Sequence, residues 1–284
     1  MKTYTTRRNF LGAAAGIAGL SAAGVSPASA KIEPEPWGIK LGIATFTFRN
    51  FDRTKTIEML RAVQTPWICV KDDVHFAYNA TPQEAKQARA EFEAAGFKVM
   101  AVGNIHLPKD DPDEIRQRFE FVKNLGVSMM VCIPTHSNIR TVEKLVKEYN
   151  IKVAIHNHGP EEKDFPTPQS VLDVVRDMDP RCGLCVDVGH TARTGADAVE
   201  SIALAGSRLF DVHIKDLRDF KSAENQCDVG EGIVPFPAIF KQLKKMSYLG
   251  CVNLEYEISL KDPLPGTLRS MSYMRGVLAG LAGA

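Results

Sequence analysis

Two stretches decide the fold: Lys152-Val153-Ala154-Ile155-His156-Asn157-His158, and Cys182-Gly183-Leu184-Cys185-Val186-Asp187-Val188-Gly189-His190. Each is a short apolar run that turns polar at its C-terminal end. Between them, residues 168–178 carry apolar positions at helical spacing. Strand, helix and strand in that order make one βα repeat, which favours a parallel sheet. The same rhythm extends in both directions. Strands are predicted at 39–46, 67–71, 97–102, 127–133, 152–157, 182–188, 208–215 and 250–256. Helices are predicted at 53–64, 81–95, 111–124, 140–149, 168–178, 195–205, 235–246 and 267–281. Thr81-Pro82-Gln83-Glu84 and Asp111-Pro112-Asp113-Glu114 are helix starts with a cap, a proline and an acid in the first turn. Gly96 and Gly126 stand where helices should stop. Eight such units predict an α/β protein with a single (β/α)8 TIM barrel. An open doubly wound sheet is disfavoured, because Gly42-Ile43-Ala44-Thr45 is not a glycine-rich phosphate loop.

The chain has 284 residues, 24 % of them charged, and a formal net charge of +1. That balance argues against a nucleic-acid partner. Residues 1–30 contain no acid; they run from Thr6-Arg7-Arg8-Asn9-Phe10-Leu11 through an Ala/Gly-rich stretch to Ala28-Ser29-Ala30. A basic start, an apolar middle and an A-x-A end predict a cleavable export signal, and the paired arginines are similar to the twin-arginine type. The expected organisation is a leader at 1–30 and a barrel at 31–284. The expected location is the periplasm, with no stable membrane insertion after cleavage. Loss of Lys2, Arg7 and Arg8 would leave 32 basic against 34 acidic residues, a net charge of −2. Residues 31–36 read as a short extended tether. A homo-oligomer stays open.

All six cysteines follow residue 30. Cys69, Cys132 and Cys251 sit in apolar strand-like runs and read as small core residues. Cys182 and Cys185 are three apart on a strand, so they point to opposite faces and cannot form one chelate.

In such a barrel the chemistry belongs at the C-terminal ends of the strands. Those ends are polar here: Lys71-Asp72-Asp73 with His75 just beyond, His156-Asn157-His158 with Glu161 following, Asp187 with His190, Asp211-Val212-His213-Ile214-Lys215-Asp216, and Asn253-Leu254-Glu255-Tyr256-Glu257. One inward polar residue on each of four successive strands gives His156, Asp187, His213 and Glu255. A strand histidine taken singly is usually packing; four such residues in step form a ligand set. Imidazole and carboxylate together suit one divalent ion such as Mn, Zn, Co or Fe. His158, Lys215, Lys71 and Glu161 are the candidate acids and bases. His190, His75 and Asn157 are the candidate substrate contacts. Asp72, Asp73 and Asp216 are expected to be solvated or to support neighbours. His106 and His136 read as packing.

Cys185-Val186-Asp187-Val188-Gly189-His190, Asp211 to Asp216, Val229-Gly230-Glu231-Gly232-Ile233-Val234-Pro235-Phe236 and Tyr248 to Glu255 resemble, in order, the motifs of the xylose-isomerase-like barrel superfamily. Sugar epimerases, hydroxypyruvate isomerase, inosose dehydratase and endonuclease IV belong to it. The resemblance covers nearly all of the chain after the leader. It implies a divalent metal, Mn first with Zn, Co or Mg as alternatives, with Asp187, His213 and Glu255 at ligand positions and His190 at a substrate-contacting position. The sequence departs from the epimerases at His156, where they carry a glutamate. A histidine there resembles the inosose dehydratase branch, and the exported branch resembles enzymes acting on 3-keto-glycosides. The resemblance implies abstraction of a proton α to a keto-sugar carbonyl through a metal-stabilised enediolate. With one carboxylate of the epimerase pair missing, the outcome leans to β-elimination, as in a lyase or dehydratase. Isomerisation or epimerisation is the alternative; an endonuclease-like phosphodiesterase or a non-catalytic sugar-binding barrel stands behind both. An exported enzyme with no phosphate loop is expected to take a small sugar or glycoside rather than a sugar phosphate.

Overall fold

The structure is a computed structural model, and it describes residues 36–283. The leader expected at 1–30 lies outside the described residues. Eight parallel strands form a closed barrel: β1 Lys40–Ala44, β2 Trp67–Val70, β3 Lys98–His106, β4 Met129–Ile133, β5 Lys152–His156, β6 Cys182–Asp187, β7 Leu209–Ile214 and β8 Cys251–Leu254. Closure comes from β1 against β8, with Lys40 opposite Cys251 and Ile43 opposite Leu254. The expected (β/α)8 architecture is therefore present. No helix among the described residues is long and apolar enough to cross a membrane.

Nine helices among the described residues connect and cover the strands: α1 Arg53–Val63, α2 Pro82–Ala94, α3 Pro112–Leu125, α4 Ile139–Tyr149, α5 Pro168–Val175, α6 Val188–Arg193, α7 Ala198–Ala205, α8 Phe236–Lys245 and α9 Leu264–Ala282. The local chemistry explains their starts. Thr81 accepts from the Glu84 backbone N–H while the Glu84 side chain accepts from the Thr81 backbone, closing a capping box. Asp111 accepts from the backbone of Asp113 and Glu114. Gly126 ends α3 in the left-handed conformation, φ 69°.

The strands are buried on both faces, as parallel barrel strands must be. Their outward residues join the helices in one large apolar core that includes Phe48, Phe92, Phe119, Phe165, Phe236 and Phe240. A smaller cluster of Cys69, Ala101, Val131, Ala154 and Cys185 forms a separate inner layer. On β5 and β6, Ala154 and Cys185 stand two residues before His156 and Asp187. The inner layer thus lies beneath the polar ends of the strands. Cys182 joins the outer core and Cys185 the inner layer, as the opposite-face argument requires. All six cysteines are buried free thiols.

Beyond β7, Asp216–Leu217 pairs antiparallel with Gln226–Cys227. Asp216 is fully buried, not solvated. Its carboxylate accepts from the backbone N–H groups of Leu217, Gly230, Gly232 and Val234 at 2.9–3.1 Å. One side chain thereby fixes the returning 228–234 segment.

Candidate active site

β5 to β8 bring His156, Asp187, His213 and Glu255 together. One potential ligand atom from each lies within 4.8 Å of all the others, and all four residues are buried. His156 Nε2 is 3.6 Å from Asp187 Oδ2 and 4.0 Å from Glu255 Oε2. His213 Nδ1 is 3.5 Å from Glu255 Oε1. Both ring nitrogens of His156, both of His213 and Asp187 Oδ2 have no hydrogen-bond partner among the described residues. Buried polar atoms are normally paired, since leaving one unpaired costs about 1–3 kcal/mol. One unpaired ring nitrogen from each imidazole and the unpaired Asp187 Oδ2, with the Glu255 carboxylate beside them, fit a divalent cation.

Asp187 divides its two oxygens between two tasks. Oδ1 accepts from the His190 backbone N–H at 2.8 Å and caps α6. Oδ2 faces the cluster. The helix it starts falls between the strand predicted at 182–188 and the helix predicted at 195–205. The cap at Asp187, three residues before His190, was the available signal.

Lys215 penetrates the same cluster. Its ammonium is 3.0 Å from Glu255 Oε2, 3.3 Å from Asp187 Oδ2 and in contact with Glu257 Oε1. Burial opposes the charged form, but the three carboxylates outweigh it and hold the lysine well above its ordinary pKa. Lys215 is therefore a cation here, not a proton acceptor. Burial would raise Asp187 and Glu255; Lys215, with neighbouring histidines, holds both carboxyls below the usual range. Burial pulls His156 down to about 4, so its imidazole is neutral. His190 is likewise pushed well below its ordinary value by burial and by Lys215.

The structure places the remaining candidates unevenly. His158 is half-buried, with its ring centroid 4.7 Å from that of His190 and 5.6 Å from that of His156. Its ring makes no side-chain hydrogen bond among the described residues. His106, read as packing, faces His158 at 6.4 Å. Lys71 pairs with buried Asp72, which also accepts from the Tyr78 hydroxyl. Three expectations need correction. His75 is no substrate contact: its ring nitrogens meet the hydroxyls of Thr45 at 2.8 Å and Thr56 at 3.1 Å, which ties β2's exit to β1 and α1. Asn157 is a strap between strands: its Oδ1 accepts from the Asp187 backbone at 3.0 Å and its Nδ2 donates to Thr191 Oγ1 at 3.1 Å. Glu161 is an exposed carboxylate paired with Arg193, not a replacement for the missing strand-5 glutamate.

Sequence reasoning missed Asn104, whose Nδ2 donates to Glu255 Oε1 at 3.3 Å. It gave no role to Arg193, nor to Glu257, Asp211 and Asn253, which it placed at polar strand ends only; the last two pair beneath His213. There Asn253 Nδ2 donates to Asp211 Oδ1 at 2.8 Å. Burial lifts Asp211 to about 7, well above an ordinary aspartate. Between an unfolded value near 4 and that folded value, only the native state holds the proton. Stability is therefore lost as pH rises through this window. Asp211→Asn is expected to stabilise the metal-free protein at pH 8 by at most about 4 kcal/mol and to have little effect at pH 4. Chemical denaturation at the two pH values measures this; an equal effect at both would refute it.

The model of the xylose isomerase-like TIM barrel matches residues 55–277. The chain belongs to this family. Among curated members it is 28 % identical over 196 residues to an inosose dehydratase of Mesomycoplasma hyopneumoniae, covering 62 % of this chain and 60 % of that one. It is 24 % identical over 163 residues to the inosose isomerase of Bacillus subtilis, covering 50 % and 58 %. The chain spans about half the length of the curated relatives it matches. Solved barrels share the fold. The IOLI protein with a bound zinc atom aligns with TM-score 0.71 at 19 % identity, covering 85 % of this chain and 99 % of that one. An L-ribulose 3-epimerase aligns with TM-score 0.69 at 15 % identity, covering 86 % and 96 %. This member of the xylose isomerase-like family thus has dehydratase and isomerase relatives and epimerase-like neighbours in fold.

Proposed function

We propose that this protein is a divalent-metal-dependent enzyme that removes a proton α to the carbonyl of a keto-sugar and expels a β-substituent. The convergence of orphaned donor atoms on His156, Asp187 and His213 beside Glu255 carries the reading. His156, Asp187, His213 and Glu255 would hold the ion, proposed as manganese, whose chemistry there is to polarise the carbonyl and withdraw charge from it.

The chain's own groups divide the remaining work. His158 is the base: its ring is half-buried, uncommitted, and next to both His156 and His190. Lys215, charged and held by three carboxylates, offsets negative charge as it develops on substrate oxygen. The α C–H pair becomes the new C=C bond while the β C–O bond breaks. The proton goes to His158, and the electrons of the broken bond leave on oxygen. Burial of the cluster excludes bulk water. The inosose dehydratase relative supports elimination. The inosose isomerase relative favours the second reading, in which the proton returns to the neighbouring carbon. The leader read at 1–30 supports an exported enzyme meeting free or glycosidic sugars.

Proton NMR in D2O, with the metal-loaded protein and a 3-keto-glucoside, tests the proposal. Loss of the α-proton signal with release of the aglycone is the expected result. Exchange with the glycosidic bond intact would move the protein to the isomerase side. No exchange into a panel of keto-sugars would overturn the proposal. Metal analysis of protein purified from its own host decides the ion, and cell fractionation decides the compartment.

A further inference from the structure

The ligand set on β5 to β8 leaves buried donor atoms over. His213 Nδ1 is 3.5 Å from Glu255 Oε1 and serves that set. Its Nε2 faces Asp211 Oδ2 at 3.9 Å. Both of these facing atoms are buried, and neither has a hydrogen-bond partner among the described residues. Cys69 of the inner layer completes a group: one ligand atom each from Cys69, Asp211 and His213 lies within 4.8 Å of the other two. Cys69 stands on β2, and Asp211 and His213 share a face of β7, two residues apart.

Asp211 is arranged as Asp187 is. Its Oδ1 accepts from the Val212 backbone N–H at 2.9 Å and from Asn253 Nδ2 at 2.8 Å. Its Oδ2 is left facing His213. Asp187 divides its oxygens in the same way, one to the α6 backbone and one to the upper cluster. Gly42 leaves the room for Asn253: a Cβ there would stand 2.3 Å from Asn253 Oδ1. A tied carboxylate, a spare imidazole nitrogen and a thiol thus converge below the first cluster. Nitrogen, oxygen and sulfur donors together suit zinc and its thiophilic neighbours.

We propose that Cys69, Asp211 and His213 form a second metal site beneath the first, for a thiophilic divalent ion such as zinc. The four-residue set above offers only nitrogen and oxygen; the thiol distinguishes the lower set. Binding there expels the Cys69 thiol proton, and His213 gives up its remaining ring proton when it holds both ions. Both protons leave to solvent. The Asp211 carboxylate and the Cys69 thiolate balance the incoming double charge. The two ions repel each other across a single imidazole, so the lower one binds second and more weakly. The site is separate from the proposed reaction and is read without substrate.

Cobalt titration of the metal-free protein tests it. Cobalt on a thiolate absorbs in the near ultraviolet through charge transfer from sulfur, and cobalt on nitrogen and oxygen alone does not. Two ions per chain are expected, with the thiolate band growing in only with the second. Cys69→Ser is expected to abolish the band and the second ion. Cys185 also lies within 4.8 Å of His156 and His213 nitrogens, so Cys185→Ser is the control and is expected to keep both. Asp211→Asn should weaken the second ion by more than about 10-fold, since a ligand costs more than an outer partner does. In Asp187→Asn, which weakens the upper site, the band is expected with the first equivalent. The band therefore reports the lower site even where the upper set fails. Circular dichroism shows that each variant is folded. Absence of the band in the unmodified protein, or its persistence in folded Cys69→Ser, would overturn the proposal.

Discussion

Lys215→Met is expected to destabilise the metal-free protein by about 3–5 kcal/mol, the cost of removing one partner from a buried ion cluster. For a domain of this size that is a fall in Tm of roughly 6–20 °C. The lysine neutralises Asp187 Oδ2 and Glu255 Oε2, both in the proposed ligand set. Without it, two buried carboxylates face each other across two imidazoles. A divalent ion supplies the same positive charge, so zinc should restore much of the lost stability in the variant. The pH dependence has a definite sign. Asp187 and Glu255 are depressed in the native state, so their contribution is present above the ordinary carboxylate range and lost as pH falls. Methionine removes the cause of the depression. The deficit should be largest above about pH 5 and shrink toward about pH 3. Scanning calorimetry with and without zinc measures each part. An equal fall in both forms would mean that lysine and metal do not share these carboxylates.

The second large effect is separable at a single residue. Asp187→Asn retains an oxygen that can cap α6 but lowers the charge of the cluster; Asp187→Ala removes cap and charge together. Both are expected to lose metal by more than the about 10–100-fold that an outer partner costs. Only the alanine variant should lose a further stability increment of about 1 kcal/mol through the missing cap. Metal content after dialysis against a weak chelator, with unfolding curves beside it, separates the two. Glu255→Ala should match Asp187→Asn in metal loss, with α6 intact. If either variant keeps full metal content, the four-residue set is wrong.

The strands and the four converging side chains were legible because a parallel barrel repeats two simple periods. Alternation along β5 to β8 places His156, Asp187, His213 and Glu255 on the inner face whatever the helices do. Less legible were features created by irregularity. β3 runs on to His106, past the end expected at 102, because the register shifts between Val102 and Ile105. Gly103 permits this: a Cβ there would meet the Val131 carbonyl at 2.3 Å. Asn104 thereby reaches Glu255. His75 misled because a polar residue just past a strand end has the same sequence signature whether it faces the mouth or turns back to two threonines. Lys215 was singled out for its place just past β7, but its protonation state depends on Glu257 and Asp187, residues far apart in the chain.

The buried carboxylate of Asp216 has a consequence for how such a barrel diversifies. It gathers the backbone of 230–234 to the foot of the hairpin, and Gln226 Oε1 accepts from the Glu257 backbone at 2.7 Å. The intervening residues 218–225 are thus bracketed by two independent anchors. Their length and composition can change by insertion or replacement while Lys215, Glu255 and Glu257 stay in register. The outer part of this hairpin is thus mechanically uncoupled from the buried ionic cluster, because both of its ends are held from outside the loop.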